Sequence, residues 1–158
     1  MPSLCQTESC PSVLDNLAGA LARAVTADVS GPGVAELVEE VRARLPLQED
    51  LEEYETIFKM FSALQAASHP AFGRCLPELV ESAAAFYSDP TIDKVRGEVE
   101  ARRMLRCYLF FCFQQKSSET VSDLLKNIAA SNFGPDVRNL IDTLPSSKSE
   151  MLLVIINT

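Results

Sequence analysis

Apolar side chains recur every three or four residues along nearly the whole chain, and this spacing constrains the fold more than any other feature. Such a period places the apolar residues on one face of an α-helix. The stripes are separated by breaks rich in proline and glycine, such as DVSGPG at 28–33 and NFGP at 132–135. No convincing strand pairs are found, so the sequence predicts an all-α protein.

Seven helices follow from these stripes and breaks. They are expected at Ser12–Ala27, Val34–Leu45, Asp50–Ala67, Phe72–Tyr87, Ile92–Gln115, Ser118–Ser131 and Asp136–Leu144. The tail MLLVII, Met151 to Ile156, is apolar on all sides, which fits either a short docked helix or a strand-like end. The connections are short, as between antiparallel neighbours.

Two helix starts resemble each other, DKVRGEV from Asp93 and PDVRNLI from Pro135. Their valines, Val95 and Val137, are 42 residues apart, and the same step back from Val95 reaches Glu53. A period near 42 lies within the roughly 40–47 residues of HEAT and armadillo repeats. The sequence therefore predicts a right-handed α-α superhelix, a solenoid of about three helix pairs plus an extra N-terminal helix.

The predicted pairs are 34–45 with 50–67, 72–87 with 92–115, and 118–131 with 136–144. Residues 1–11 are expected to be a flexible N-terminus, and residues 12–158 a single HEAT-repeat domain. The helix at 12–27 then has no partner. Because a solenoid unit buries its apolar face only against its neighbours, that face needs an upstream repeat of a longer chain or another cover.

The charge of the chain limits its partners. It carries 22 acidic and 14 basic residues, a formal net charge of −8, and most of this excess lies in 28–67, which holds nine acids and three bases. Nucleic-acid binders need clustered Lys and Arg, and anionic membrane surfaces attract basic segments. The balance argues against both classes and permits a basic protein partner.

Chemistry-bearing residues form no recognisable catalytic or metal-binding pattern. The five cysteines match no common spacing, Cys107 and Cys112 lie in the apolar run CYLFFCF, and reduced thiols are expected. The single histidine, His69, has no second ligand nearby. No phosphate-binding glycine loop or nucleophile motif occurs. We expect no enzyme, no catalytic or cofactor-binding residues, and no bound metal.

The stretch EDLEEYE holds five carboxylates in seven residues: Glu49, Asp50, Glu52, Glu53 and Glu55. Acids at a helix start stabilise the helix dipole by about 0.3–1 kcal/mol each, so the run has a purely structural interpretation. The alternative is a ridge that attracts Lys and Arg of a partner. Asp15 and Asn16 have the same two interpretations: they cap or bridge to a neighbouring repeat, or they bind an extended peptide backbone.

Three segments resemble the C-terminal HEAT repeats of importin-β (karyopherin-β) nuclear transport receptors. They are VLDNLAGALARAV (13–25), LVEEVRARLPLQEDLEEYETIFKMFSAL (37–64) and LPELVESAAAFYSDPTID (76–93). The segment DTLPSSKSEML (142–152) is similar to the last turn of such receptors. The resemblance covers residues 12–93 most fully.

The resemblance implies a cargo-binding segment of a nuclear import receptor, found in cytoplasm and nucleus. It implies basic cargo such as histones or ribosomal proteins, contacted by the acidic run with Asp15 and Asn16. The small GTPase Ran and nucleoporins would bind the N-terminal part of a full-length receptor, and the chain itself is expected to be a monomer. The alternative is a free-standing α-helical scaffold or adaptor, which a closed bundle with 12–27 at its centre would favour.

Overall fold

A computed structural model describes residues 10–88 and 118–157, and these two ranges form helices and connecting turns without strands. The prediction of an all-α protein is confirmed for this part of the chain. The elements are α1 Pro11–Ala27, α2 Val34–Arg42, a 3-10 turn Leu51–Glu53, α3 Tyr54–Ala66, α4 Ala71–Arg74, α5 Leu76–Ser88, α6 at residues 118–129, α7 Gly134–Asp142 and α8 Ser146–Asn157. The predicted helix at 92–115 and residues 1–9 of the N-terminus expected to be flexible, 1–11, lie outside the described residues, and α1 begins at Pro11.

The first helix is not an extra element, because α1 is the main packing partner of both α2 and α3. The predicted pairing of 34–45 with 50–67 as the first closed unit is therefore wrong. The buried side chains of α1 include Ala18, Ala22 and Val25, with Gly19 between them. These small residues let two helices approach α1 closely, and a face of small residues gives only a weak apolar pattern in the sequence.

The opposite face of α1 is apolar and exposed to solvent. Val13 is 64% exposed and Leu17 40% exposed, and Ala20 and Ala24 continue the same line along the helix. These four positions recur at spacings of four, three and four residues, so they form one stripe. The apolar face that the sequence left without a partner is therefore only partly exposed: Val13 and Leu17 face solvent, whereas Val25 is buried.

Most other contacts among the described helices involve α3 or α5. The α3 helix contacts α4 and α5 as well as α1, and α5 contacts α7 and α8, which also contact each other. An aromatic cluster fills the α3–α5 layer: Tyr54 and Phe58 stack at 5.7 Å between ring centroids, and both meet Phe86 edge-on. Phe72 of α4 meets Phe133, in the turn before α7, at 5.5 Å.

The apolar tail is a docked helix, which decides between the two predicted forms. Leu152 and Ile156 of α8 are buried one helical turn apart, where α8 packs on α5 and α7. Val154 points away from this contact and is 67% exposed. Although the tail is apolar on all sides, only one side of its helix is buried.

Candidate functional site

The acidic run is organised around the buried carboxylate of Asp15, which is 2% exposed. Asp15 Oδ2 accepts hydrogen bonds from the backbone N–H groups of Gln48, Glu49 and Asp50 at 3.0, 2.7 and 2.9 Å. Three successive donors aimed at one oxygen form a cradle that solvates the charge without a basic side chain. The carboxylate thereby fixes the path of the loop that carries the acidic run.

The cradle lies directly before the third helix. The sequence predicted a helix from Asp50, whereas α3 begins at Tyr54 after the 3-10 turn Leu51–Glu53. The N–H groups of residues 48–50 are bound to Asp15, and helical structure begins directly after them, at Leu51. The predicted start therefore differs by one residue from the 3-10 turn and by four from α3.

Two further contacts join the acidic run to α1. Asn16 Nδ2 donates to Asp50 Oδ2 at 2.8 Å, and Arg23 Nη1 forms an ion pair with Glu53 Oε2 at 2.8 Å. The Glu53 side chain is only 14% exposed because it lies across Gly19, where an added Cβ would come within 1.8 Å of Glu53 Oε2. Glycine at this position leaves the space that the carboxylate occupies.

Glu55 is turned into the molecule. It is buried at the start of α3, and its Oε1 accepts from Lys59 Nζ at 2.5 Å, one turn along the same helix. Three of the five carboxylates in the run, those of Asp50, Glu53 and Glu55, are thus engaged within the fold.

Glu49 and Glu52 differ from the other three acids. Both are exposed, and neither forms an ion pair with a base in residues 10–88 or 118–157. Of the seven residues predicted as a cargo site, these two present free carboxylates. Asp15 does bind an extended backbone, and Asn16 binds the side chain of Asp50. The bound segment is a loop of this same chain and not a partner peptide.

Two residues of this arrangement were not among the predicted site residues. Gly19 and Arg23 lie four and eight positions after Asp15, so all three share one side of α1. The sequence signal was available as a line of polar and small residues on an otherwise apolar helix. The ion-pair partner of Arg23, Glu53, is 30 residues away in the chain, and no local pattern identifies that pairing.

None of the three bases in 28–67 forms an ion pair with Glu49 or Glu52. Arg44 pairs with Glu40 at 2.8 Å, and Arg42 pairs with both Glu39 and Glu78 at 2.8 Å. The hydrogen bond and charge of Glu78 raise the pKa of Arg42, so it stays cationic. With Lys59 held by Glu55, each of the three bases in 28–67 already has an acidic partner.

A pocket of about 260 Å³ opens between the start of α1 and the loop after α2. Its walls are largely apolar, from Pro11, Leu14, Ala43 and the Leu45–Leu47 segment, and Asp15, Arg44 and Gln48 are its polar lining residues. Arg44 Nη1 is committed to the carboxylate of Glu40. The pocket is an apolar recess beside the acidic turn.

The described ranges hold little else that could carry out chemistry. No cluster of three metal-ligating side chains occurs there, and none of the helices there has the length and apolar character needed to cross a membrane. Cys75 is buried between α4 and α5, and its Sγ donates to the carbonyl oxygen of Ala71 at 3.2 Å. Burial, followed by the charges of Glu39 and Glu78, raises the pKa of the Cys75 thiol to about 11. That thiol is a core residue with little thiolate at neutral pH.

Comparison of the chain with protein-family models and with curated protein sequences finds no match.

Proposed function

We propose that this chain binds basic segments of cargo proteins in nuclear import, through the exposed carboxylates of Glu49 and Glu52. The observation that carries the proposal is their setting. Both side chains are exposed and unpaired within the described ranges, yet the backbone N–H of Glu49 and its neighbours is held by buried Asp15. Charge presented on a fixed backbone attracts Lys and Arg without the entropy cost of ordering a mobile loop.

The wider charge distribution supports the same partner class. Residues 28–67 carry nine acids against three bases, and those bases are already paired. Long-range attraction toward this half of the molecule would speed encounter with a basic protein. Histones and ribosomal proteins, the cargo that the importin-β resemblance implies, fit this electrostatic requirement.

A solenoid is the proposed architecture. Its support is the packing of helices that are near one another in the chain: α1 with α2 and α3, α3 with α4 and α5, and α5 with α7 and α8. Repeat proteins pack their units mainly against chain neighbours, and the sequence has a period near 42 residues. Within a full-length receptor, Ran and nucleoporins would contact other repeats, and the protein would move between cytoplasm and nucleus.

The proposal is tested with purified core histones, titrated by fluorescence anisotropy against the full chain. Glu49→Lys with Glu52→Lys should weaken binding at low salt by at least about tenfold, since both charges are reversed. A matched control reverses two other exposed acids, Glu36 and Glu81, and changes the net charge equally. Equal losses for the two double variants would mean that net charge, and no particular site, governs binding.

Transport is tested by competition in permeabilised cells. The wild-type chain in excess should slow nuclear entry of a fluorescent histone, and the Glu49→Lys, Glu52→Lys variant should not. A second candidate function is a helical scaffold without a transport role, favoured by the packing of α1 against both α2 and α3. Histone binding without any effect on nuclear entry would select the scaffold.

A further inference from the structure

The stripe on α1 and the acidic turn are neighbours on one surface. Val13, Leu17, Ala20 and Ala24 form the exposed apolar stripe. On a helical projection, Asn16 and Arg23 flank that stripe on one side. Those two residues bind Asp50 and Glu53, so the acidic turn borders the stripe along the length of two helical turns.

A partner that covers this stripe needs apolar side chains on one face and basic side chains along the edge next to the acidic turn. We infer that the outer face of α1 docks an amphipathic helix with aliphatic side chains on one face and Lys or Arg along the edge that meets Glu49 and Glu52. This inference rests on the proposed function and deepens it, because it gives the form of the basic segment. Helix-in-groove recognition uses apolar anchors spaced three and four residues apart, the same spacing as the stripe.

The residue sizes along the stripe suit a helix as partner. Val13 and Leu17 provide aliphatic bulk near the start of α1, whereas Ala20 and Ala24 leave a shallow track farther along. Small residues permit a close approach of a second helix, as they do on the buried face of the same helix. The exposed aliphatic side chains would then supply most of the apolar contact.

A second copy of this chain fits the stripe less well. Packing of two α1 helices would bring the acidic turns of both copies toward the same interface, and each copy carries a net charge of −8. Like charges brought together in this way oppose association. The same carboxylates attract a cationic helix and repel the acidic turn of a second copy.

The test uses the full chain and two designed helical peptides of about 18 residues, similar in length to α1. One peptide has a leucine stripe with lysines on one edge, and the other has glutamines in place of the lysines. Val13→Gln with Leu17→Gln should weaken binding of the lysine peptide by about tenfold or more, because hot-spot contacts are lost. Val154→Gln, at an equally exposed valine on α8, should change nothing. Circular dichroism verifies that each variant keeps its helix content.

The outcomes separate this inference from the proposed function. Unchanged affinity in Val13→Gln, Leu17→Gln, with a loss in Glu49→Gln, Glu52→Gln, would overturn the docking mode and leave the acidic site standing. Equal binding of the glutamine peptide would also overturn it, since the face would then accept any apolar helix, including one from a further repeat. A dimer of the chain that the stripe variant abolishes would assign the face to a second copy.

Discussion

At the scale of single residues, Asp15 determines the shape of the acidic turn. Its charge is buried, and its partners are three backbone N–H groups in place of a basic side chain. The sequence indicated that Asp15 and Asn16 cap, bridge or bind an extended backbone. It could not indicate that the bound backbone is residues 48–50 of the same chain, because a contact across 33 residues leaves no local pattern.

Removal of the Asp15 carboxylate should destabilise the fold strongly. Asp15→Ala leaves three N–H groups without their acceptor and should lower the free energy of unfolding by about 2–4 kcal/mol. Asp15→Asn retains one acceptor oxygen and should cost roughly half as much. Urea titration measures both, with Glu49→Gln in the same loop as the control that leaves stability within about 0.5 kcal/mol. A small effect for Asp15→Ala would show that the cradle contributes little.

The raised pKa of the Cys75 thiol should make the stability of the fold decrease at alkaline pH. This pKa is raised from 9.0 to about 11 in the fold, mainly by burial, so between these values the unfolded chain releases a proton that the folded chain retains. Stability contributed by this thiol is present below pH 9 and is lost as pH rises toward 11.

Melting temperatures measured from pH 8 to pH 11 check this linkage. Cys75→Ala should flatten the alkaline decline, whereas Cys10→Ala, at an exposed cysteine, should leave its slope as in the wild type. Parallel declines in Cys75→Ala and wild type would assign the alkaline loss to other groups.

At the scale of helices, the two faces of α1 explain what the apolar pattern predicted well and what it did not. Spacing predicted most helices in the described ranges, but the single helix expected at 72–87 is divided into α4 and α5 at Cys75, and spacing left the form of the tail open. Spacing did not predict the pairing of α1, because its buried face is built from Ala18, Gly19 and Ala22 while Val13 and Leu17 face solvent. Large aliphatic residues occur on both sides of α1, with Val25 buried and Val13 exposed, so their number does not identify the buried face.

Gly19 and Glu53 should be energetically coupled, because the Glu53 side chain occupies the space of a Cβ at position 19. In the Glu53→Ala background, Gly19→Ala should stabilise the protein by about 1 kcal/mol through helix propensity. In the wild-type background the new methyl displaces Glu53 from Arg23 and cancels that gain. A double-mutant cycle by urea denaturation measures the coupling, and additive effects would contradict the close approach.

The docking of α8 should depend on its buried side chains alone. Leu152→Ala should lower the free energy of unfolding by about 2–5 kcal/mol, since it opens a cavity where α8 meets α5 and α7. Val154→Ala, on the exposed side of the same helix, should change it by less than about 0.5 kcal/mol. Thermal unfolding compares the two, and similar losses would mean that α8 packs through a different face.

At the scale of the whole molecule, the acidic charge is divided between two roles. The carboxylates of Asp15, Asp50, Glu53 and Glu55 bind groups within the fold, and those of Glu49 and Glu52 face solvent. The sequence predicted the location of the charge and the two roles as alternatives. It could not divide the residues between them, because that division depends on which side of α1 the turn meets.

The central claim is that Glu49 and Glu52 supply the charge that binds a basic partner. Its most direct test is the affinity of an unstructured lysine- and arginine-rich peptide for the full chain as ionic strength rises, for the wild type and for Glu49→Gln with Glu52→Gln. We expect the variant to bind about threefold to tenfold more weakly at low salt and to lose affinity less steeply as salt increases, since two screened charges are gone. A variant with the affinity and salt dependence of the wild type would contradict the account.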